Sequence, residues 1–252
     1  MAGREWNADS YDRVGGPMTA MAAAVTERLT LEGHETVLDA GCGTGRVTEL
    51  LLDRLPTGRV IAVDADPEMV RLARENVGAR AEVFQANLLE LELEDPVDAV
   101  LSTATFHWVL DHPALFERLR SVLKPGGQLV AQCGGEGNIA GLRAVGDAVA
   151  RLAEFAPHLD GWEAPWYYAA PGETAERLEA AGFVDIRTWL EPWPVEPDDP
   201  AEYLATVTLG AQVQRLPQEL VEPYVSAVME RCDGARTIDY VRLNIDARVA
   251  GS

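Results

Sequence analysis

Two periodicities alternate along the first half of the chain. Thr36-Val37-Leu38-Asp39-Ala40, Arg59–Asp64, Ala81–Phe84, Asp98–Ser102 and Gln128–Cys133 are short apolar runs of strand length. Between them, apolar residues recur every three or four positions, as on one face of a helix. Pro17–Leu29 is such a segment, with Met18, Met21, Ala22, Val25 and Leu29 on one side. A second follows Gly45, with Val47, Leu50, Leu51 and Leu55 inward and Pro56 and Gly58 as its stop. Asp66 and Pro67 read as the N-cap and first position of a third helix. Pro113–Leu123 is a fourth, with Leu115, Phe116, Leu119 and Val122 inward, stopped by Lys124-Pro125-Gly126-Gly127. Strands that are apolar throughout and alternate with helices predict an α/β fold: a parallel sheet covered on both faces.

The second half is less regular. Ile139–Phe155 has a helical apolar stripe, and Pro157–Pro171 collects Trp162, Trp166, Tyr167 and Tyr168. A helix is expected over Glu173–Ala181 and a strand from Gly182 to Ile186. Pro192–Pro200 holds four prolines and reads as a linker or lid edge. Helical stretches follow over Ala201–Leu216 and Gln218–Arg231, and Thr237–Val249 closes the chain as a strand.

The densest chemical signal is Asp39-Ala40-Gly41-Cys42-Gly43-Thr44-Gly45, after one strand and before one helix. Glycines there let a ligand approach the backbone, and the helix beyond offers unpaired N–H groups. A dinucleotide fingerprint spaces its glycines GxGxxG and seats a pyrophosphate on the helix end. This chain has GxGxG preceded by an acid. Asp39 would repel a pyrophosphate but suits the ammonium of an amino-acid moiety, so a nicotinamide dehydrogenase is disfavoured. Asp64 ends the second strand, where a carboxylate can accept from both hydroxyls of a ribose.

VLDAGCGTGRVTELL, VIAVDADPEMV, VFQANLLEL, DAVLSTATFHWV and LKPGGQLV, in this order and spacing, resemble the class I S-adenosylmethionine-dependent methyltransferases. The resemblance is strong over roughly Val37–Cys133 and implies a doubly wound, mostly parallel seven-stranded sheet of Rossmann-like type with a reversed last strand, which Thr237–Val249 could supply. It implies one methyltransferase domain over residues 1–252, an N-terminal helical lid over 1–30, and helical cap elements over 136–172 and 198–232. It also implies S-adenosyl-L-methionine as cofactor. Asp39, Gly41, Cys42 and Gly43 would border its methionine part and Asp64 its ribose. Ala65 and Met69 would line the adenine, Asn87 and Leu88 its edge, and Thr103 would begin the substrate side. Position 87 is more often Asp in this family; asparagine keeps an acceptor oxygen. Trp6 and Tyr11-Asp12 resemble the aromatic lid segment, with Tyr11 closing over the sulfonium.

Phe106-His107-Trp108-Val109, with Asp111-His112-Pro113 downstream, resembles the carboxylic-acid-esterifying members, the trans-aconitate methyltransferase type among them. His107 is the candidate general base or hydrogen-bond donor. A carboxylate acceptor needs no base, because it is ionised at neutral pH. A phenol or amine would need one. A carboxylate would instead want a cation in the cap, and Arg143, Arg236 and Arg242 are the candidates. Trp108, Trp166 and Tyr167 are the expected walls of the acceptor pocket, from a cluster that also holds Trp162 and Tyr168.

Charge narrows the acceptor further. Lys and Arg number 21 against 41 Asp and Glu, for a net charge of −20. Affinity for nucleic acid comes largely from cationic side chains, so neither nucleic acid nor an anionic membrane is expected as partner. Ser102-Thr103-Ala104-Thr105 also lacks the NPPY pattern that resembles base-amine methyltransferases. Cys42, Cys133 and Cys232 are far apart and show no metal or disulfide spacing, so no metal and a reducing, cytoplasmic setting are expected. The first residues carry no signal-peptide core, and no apolar run is long enough to span a bilayer. The reading is an enzyme that methylates a small molecule, with oxygen as the expected atom and a carboxylate as one candidate acceptor beside phenols and amines. A protein of the same fold that binds the cofactor without transferring methyl is the alternative.

Overall fold

The computed structural model describes residues 16–251, so Trp6, Tyr11 and Asp12 lie outside the described residues. Seven strands form one sheet: β1 Thr36–Ala40, β2 Arg59–Asp64, β3 Glu82–Gln85, β4 Val97–Thr103, β5 Leu123–Gly134, β6 Phe183–Val195 and β7 Ile238–Val249. Their order is β3-β2-β1-β4-β5-β7-β6. Neighbours from β3 to β5 are parallel, and β7 runs antiparallel to both β5 and β6. The reversed last strand is thus where the sequence put it. The order reverses between β1 and β4, so the crevice at their carboxyl ends is the topological switch point where ligands bind in such sheets.

The flanking helices begin with α1 Gly16–Thr26, α2 Arg46–Arg54, α3 Pro67–Val77 and α4 His112–Ser121. Asp66 caps α3 as expected, its Oδ1 accepting from the N–H groups of Glu68 and Met69 at 2.8 and 3.2 Å. Ala22, Val25 and Leu29 pack on one side of the sheet with Val47, Leu51 and Leu55. Leu115, Phe116 and Leu119 pack on the other with Leu243, Ile245 and Ala247 of β7. Leu50, expected inward, is only half-buried.

Beyond β5 come α5 Ala140–Ala150, α6 Ala156–Leu159, α7 Pro171–Ala180, α8 Pro200–Tyr203, α9 Gly210–Val213 and α10 Gln218–Arg231. A single turn of wider helix over Leu204–Thr208 joins α8 to α9. Ile139, Phe155, Tyr203, Tyr224, Val228 and Tyr240 belong to a second core formed by these cap helices and β7.

Several expectations are corrected. Lys124–Gly127 does not lie outside the fifth strand. It bulges within β5 opposite Asp98, between the pairs Val97–Leu123 and Ala99–Gln128, and Lys124 Nζ meets Asp98 Oδ1 at 2.8 Å. Pro192–Pro200 is not a linker throughout, because β6 runs on to Val195 with Pro192 opposite Val241 and Pro194 opposite Asp239. At alternate positions of an edge strand both prolines can turn their missing N–H away from the only neighbour. Strand three is displaced by one residue, to Glu82–Gln85. The helix drawn over Ile139–Phe155 breaks after Ala150, and Ile139 is its left-handed cap with φ 46°. Ala201–Leu216 is likewise three short pieces. None of the helices among the described residues is long and apolar enough to cross a membrane.

Candidate active site

The loops after β1, β2, β3 and β4 converge at one end of the sheet. Gly41 turns there with φ 85°, its N–H and that of Cys42 both donating to Val63 O at 2.8 and 2.9 Å. A Cβ at Gly41 would stand 2.2 Å from Thr105 Oγ1, so only glycine lets the β1 and β4 loops touch. A Cβ at Gly43 would meet nothing within 4 Å. The Gly43 backbone therefore faces open space, a cradle that a ligand can fill. Its N–H donates to Asp64 Oδ2 at 2.9 Å, while Asp64 Oδ1 accepts from Asp66 N–H at 2.9 Å. These bonds hold the Asp64 carboxylate at the rim, and burial raises its pKa.

Asp39 sits beneath the same loop with 0 % of its surface exposed. Thr48 Oγ1 donates to its Oδ2 at 2.6 Å, and its Oδ1 has no partner. Burial pushes its pKa up to about 7, with the charge of Asp64 adding to the rise. A buried carboxylate with an unsatisfied oxygen is costly unless a cation arrives.

Ala65, Phe84, Ala86, Asn87 and Leu91 border a cavity of about 480 Å³ beyond the ends of β2 and β3. Asn87 is exposed, and its Oδ1 accepts from Leu89 N–H at 3.1 Å. Met69 and Leu88 are buried behind the loops, as is Cys42. Thr103 is half-buried at the end of β4.

After β4 the backbone takes φ 55° at Ala104, an unusual conformation for a residue with a Cβ and one that clusters at functional sites. Phe106-His107-Trp108 follows as a single tight turn. The N–H of Gly134, at the end of β5, donates to His107 Nδ1 at 3.3 Å. A nitrogen that accepts from an amide carries no proton, so the neutral ring bears its hydrogen on Nε2. In that form Nε2–H is the ring's donor. Tyr168 lies 5.7 Å from the His107 ring, Trp108 5.0 Å from it, and Trp166 5.6 Å from Trp108.

Tyr167 points elsewhere. It is exposed, its hydroxyl donates to the Glu173 carboxylate at 2.7 Å, and its ring stands over Arg177 and against His112. Only its backbone serves the His107 loop, through Tyr167 N–H to His107 O at 2.8 Å.

The three candidate cations separate clearly. Arg236 is exposed, and Arg143 is half-buried on α5, 5.4 Å over the Tyr168 ring. Arg242 is 2 % exposed in the middle of β7, opposite Gly134. Among the described residues no carboxylate comes within 4 Å of its guanidinium and its Nε has no partner; it stands 5.7 Å over the Tyr240 ring, and its charge also reaches Tyr168 and Cys133. The Tyr203 and Tyr240 hydroxyls meet at 3.0 Å nearby, and burial holds the Tyr240 pKa well above the usual range. A guanidinium buried in this way lacks the counter-ion that ordinarily offsets its charge. Gln212, with an unpartnered Oε1, is a further buried polar group of the cap that the sequence reading did not single out.

Comparison with known proteins agrees with this geometry. Residues 37–127 match the family model of a methyltransferase domain. A trans-aconitate 2-methyltransferase of Azoarcus sp. (strain BH72) is 33 % identical over 178 residues, 69 % of this chain and 70 % of that protein. That of Acidovorax ebreus (strain TPSY) is 29 % identical over 98 % of this chain and 99 % of its own. The solved structure of Haemonchus contortus phosphoethanolamine N-methyltransferase 2 with S-adenosyl-L-methionine superposes with a TM-score of 0.63 at 19 % identity, covering 97 % of this chain and 57 % of that one. The chain belongs to the class I S-adenosylmethionine-dependent methyltransferases. Within that class its relatives include the trans-aconitate 2-methyltransferases. S-Adenosylmethionine is its cofactor, and the open backbone at Gly43 and the unsatisfied Asp39 Oδ1 fit a ligand with a cationic amino-acid end.

Proposed function

We propose that this enzyme esterifies one carboxylate of a small polycarboxylic acid. The observation that carries the reading is Arg242: a buried guanidinium without a counter-ion, at the acceptor end of the sheet. The names of the relatives from Azoarcus and Acidovorax support it. When bound, S-adenosylmethionine supplies a methyl group already activated on a sulfonium. Asp39, Gly41, Cys42 and Gly43 hold its methionine part, Asp64 its ribose, and Ala65, Met69, Asn87 and Leu88 its adenine. Thr103 borders the transferring end.

A reacting carboxylate loses its charge as it is methylated, so a cation pressed on it would favour the ground state over the transition state. Arg242 therefore holds a second carboxylate of the acceptor, with Tyr240 and Tyr168 as neutral donors. Burial raises the pKa of both phenols, which keeps their protons in place. His107 orients the reacting group through Nε2–H and takes up no proton, since an ionised carboxylate gives none. Trp108 and Trp166 exclude water from the acceptor, so positioning supplies most of the rate.

The test is a pooled assay of the purified enzyme with S-adenosylmethionine, reading S-adenosylhomocysteine release. Di- and tricarboxylic acids are expected to turn over, giving alkali-labile methyl esters. Turnover with phenols or amines alone overturns the reading.

The cofactor half carries its own prediction. In the ligand-free fold Asp39 keeps its proton up to about pH 7, whereas in the unfolded chain it loses it near its ordinary value. The folded state then binds more protons between the two values, so stability falls as pH rises through that window. A cofactor ammonium lowers the Asp39 pKa again. Calorimetry at about pH 6 in buffers of different ionisation enthalpy should therefore show release of most of one proton on cofactor binding. Asp39→Asn should abolish the release, and a wild-type binding heat that does not vary with buffer would remove Asp39 from the site.

A further inference from the structure

The neighbour of Arg242 across the sheet is an acid that does not pair with it. β7 places Arg242 opposite Glu191 of β6, and directly opposed residues of an antiparallel pair stand close enough for their side chains to meet. An arginine and a glutamate there would ordinarily form an ion pair and cancel the anion site. They do not: no Arg242–carboxylate approach within 4 Å occurs among the described residues. Glu191 Oε2 instead accepts from Asn244 Nδ2 at 3.1 Å, on the diagonal of the same face.

Asn244 is itself fixed. It is 1 % exposed, and its Oδ1 accepts from Arg28 Nη1 at 2.5 Å and from Gln132 Nε2 at 3.0 Å. With the oxygen so engaged, the amide nitrogen is obliged to face Glu191. Arg28 is anchored in turn by Asp246 and by the carbonyls of Ala131 and Ile245, and its charge also attracts Glu191. Arg187, on the same face of β6, stacks on Trp189 at 4.5 Å. The acid is thus drawn along the strand, away from the guanidinium.

We infer that Asn244, locked by Arg28 and Gln132, is a positioning residue that holds Glu191 off Arg242 and so keeps the guanidinium available to an anionic acceptor. The inference rests on the proposed function, because it concerns the occupant of the same site. It makes the polar row of β7 a specificity device: affinity for a polyanion is set by a side chain that never touches it.

Asn244→Asp is nearly isosteric and keeps an oxygen for Arg28 and Gln132, but replaces the donor that faces Glu191 with an acceptor. With trans-aconitate as probe, KM should rise about tenfold, with kcat and cofactor affinity nearly unchanged. Adding Glu191→Gln should restore KM to near wild type, because the acid directly opposite Arg242 is then gone. Glu191→Gln alone, at a half-buried edge position, should leave KM within about twofold. An unchanged KM in Asn244→Asp, an increase that Glu191→Gln does not relieve, or a KM that falls strongly in Glu191→Gln alone would each overturn the inference. Arg242→Gln separates the two levels: if it leaves KM for trans-aconitate unchanged, the acceptor reading itself has failed, whatever Asn244 does.

Discussion

Arg242→Gln is expected to raise KM for a polycarboxylic acceptor by about a hundredfold while leaving the free enzyme as stable as before or more so. The two effects have one cause. In the free enzyme the guanidinium lies almost wholly out of water, with the ring of Tyr240 in place of a counter-ion. A charge there lacks both water and a counter-ion, which is unfavourable for the free enzyme. A neutral amide removes that cost, so the melting temperature should hold or rise. In the complex the same charge meets a carboxylate, and its loss leaves an anion buried and unpaired, at about 2–5 kcal/mol. Arg242→Lys keeps the charge but not the planar fork and should fall between. A structural arginine would behave in the opposite sense, its loss lowering stability and activity together. Thermal melts beside initial rates decide: a lower melting point with unchanged KM sinks the acceptor role.

The chemistry that was legible in the chain is the local kind. GxGxG after a strand, Asp64 at the next strand end and Asp66-Pro67 at a helix start each combine a residue type with a position in one element, and the structure has all three in place. The features that were harder to read depend on partners far along the chain. Tyr240, Arg242, Asn244 and Asp246 alternate with Val241, Leu243, Ile245 and Ala247, a pattern that suggests a water-facing side. β7 is an inner strand, however, and its polar row is covered by Arg28 from the segment after α1 and by cap side chains. That is why Arg242 could not be told from Arg143 and Arg236 in the sequence. Pro192 and Pro194 look like strand breakers in sequence for a related reason, since a proline breaks an inner strand but not an edge, and edge status is a property of the whole sheet. The break after Ala150 escaped because Leu152 and Phe155 continue the apolar stripe across it. The tautomer of His107 needed Gly134, 27 residues away.

Gly41→Ala should abolish cofactor binding and destabilise the fold, and Gly43→Ala should do the first with little of the second. At Gly41 an added Cβ would stand 2.2, 2.3 and 2.7 Å from Oγ1, Cγ2 and Cβ of Thr105. Thr105 has little freedom to yield, because its hydroxyl donates to Thr103 O at 2.9 Å and approaches Gly41 O at 3.2 Å. A positive φ adds roughly 1–2 kcal/mol for any residue with a Cβ, and forced overpacking roughly 1–3 kcal/mol more. The strain is delivered to the turn that carries His107, so acceptor turnover should suffer along with cofactor affinity. At Gly43 the same methyl meets nothing within 4 Å and pays only for its φ of 54°. There it occupies the space in which the cofactor's methionine part is proposed to lie. Affinity should drop about a hundredfold, or ~3 kcal/mol, with a melting point within a few degrees of wild type. Calorimetric binding and thermal melts on the two variants read this directly. If Gly43→Ala binds S-adenosylmethionine normally, the cradle is not the cofactor site, and if Gly41→Ala melts like wild type, the contact between the β1 and β4 loops is not the constraint described.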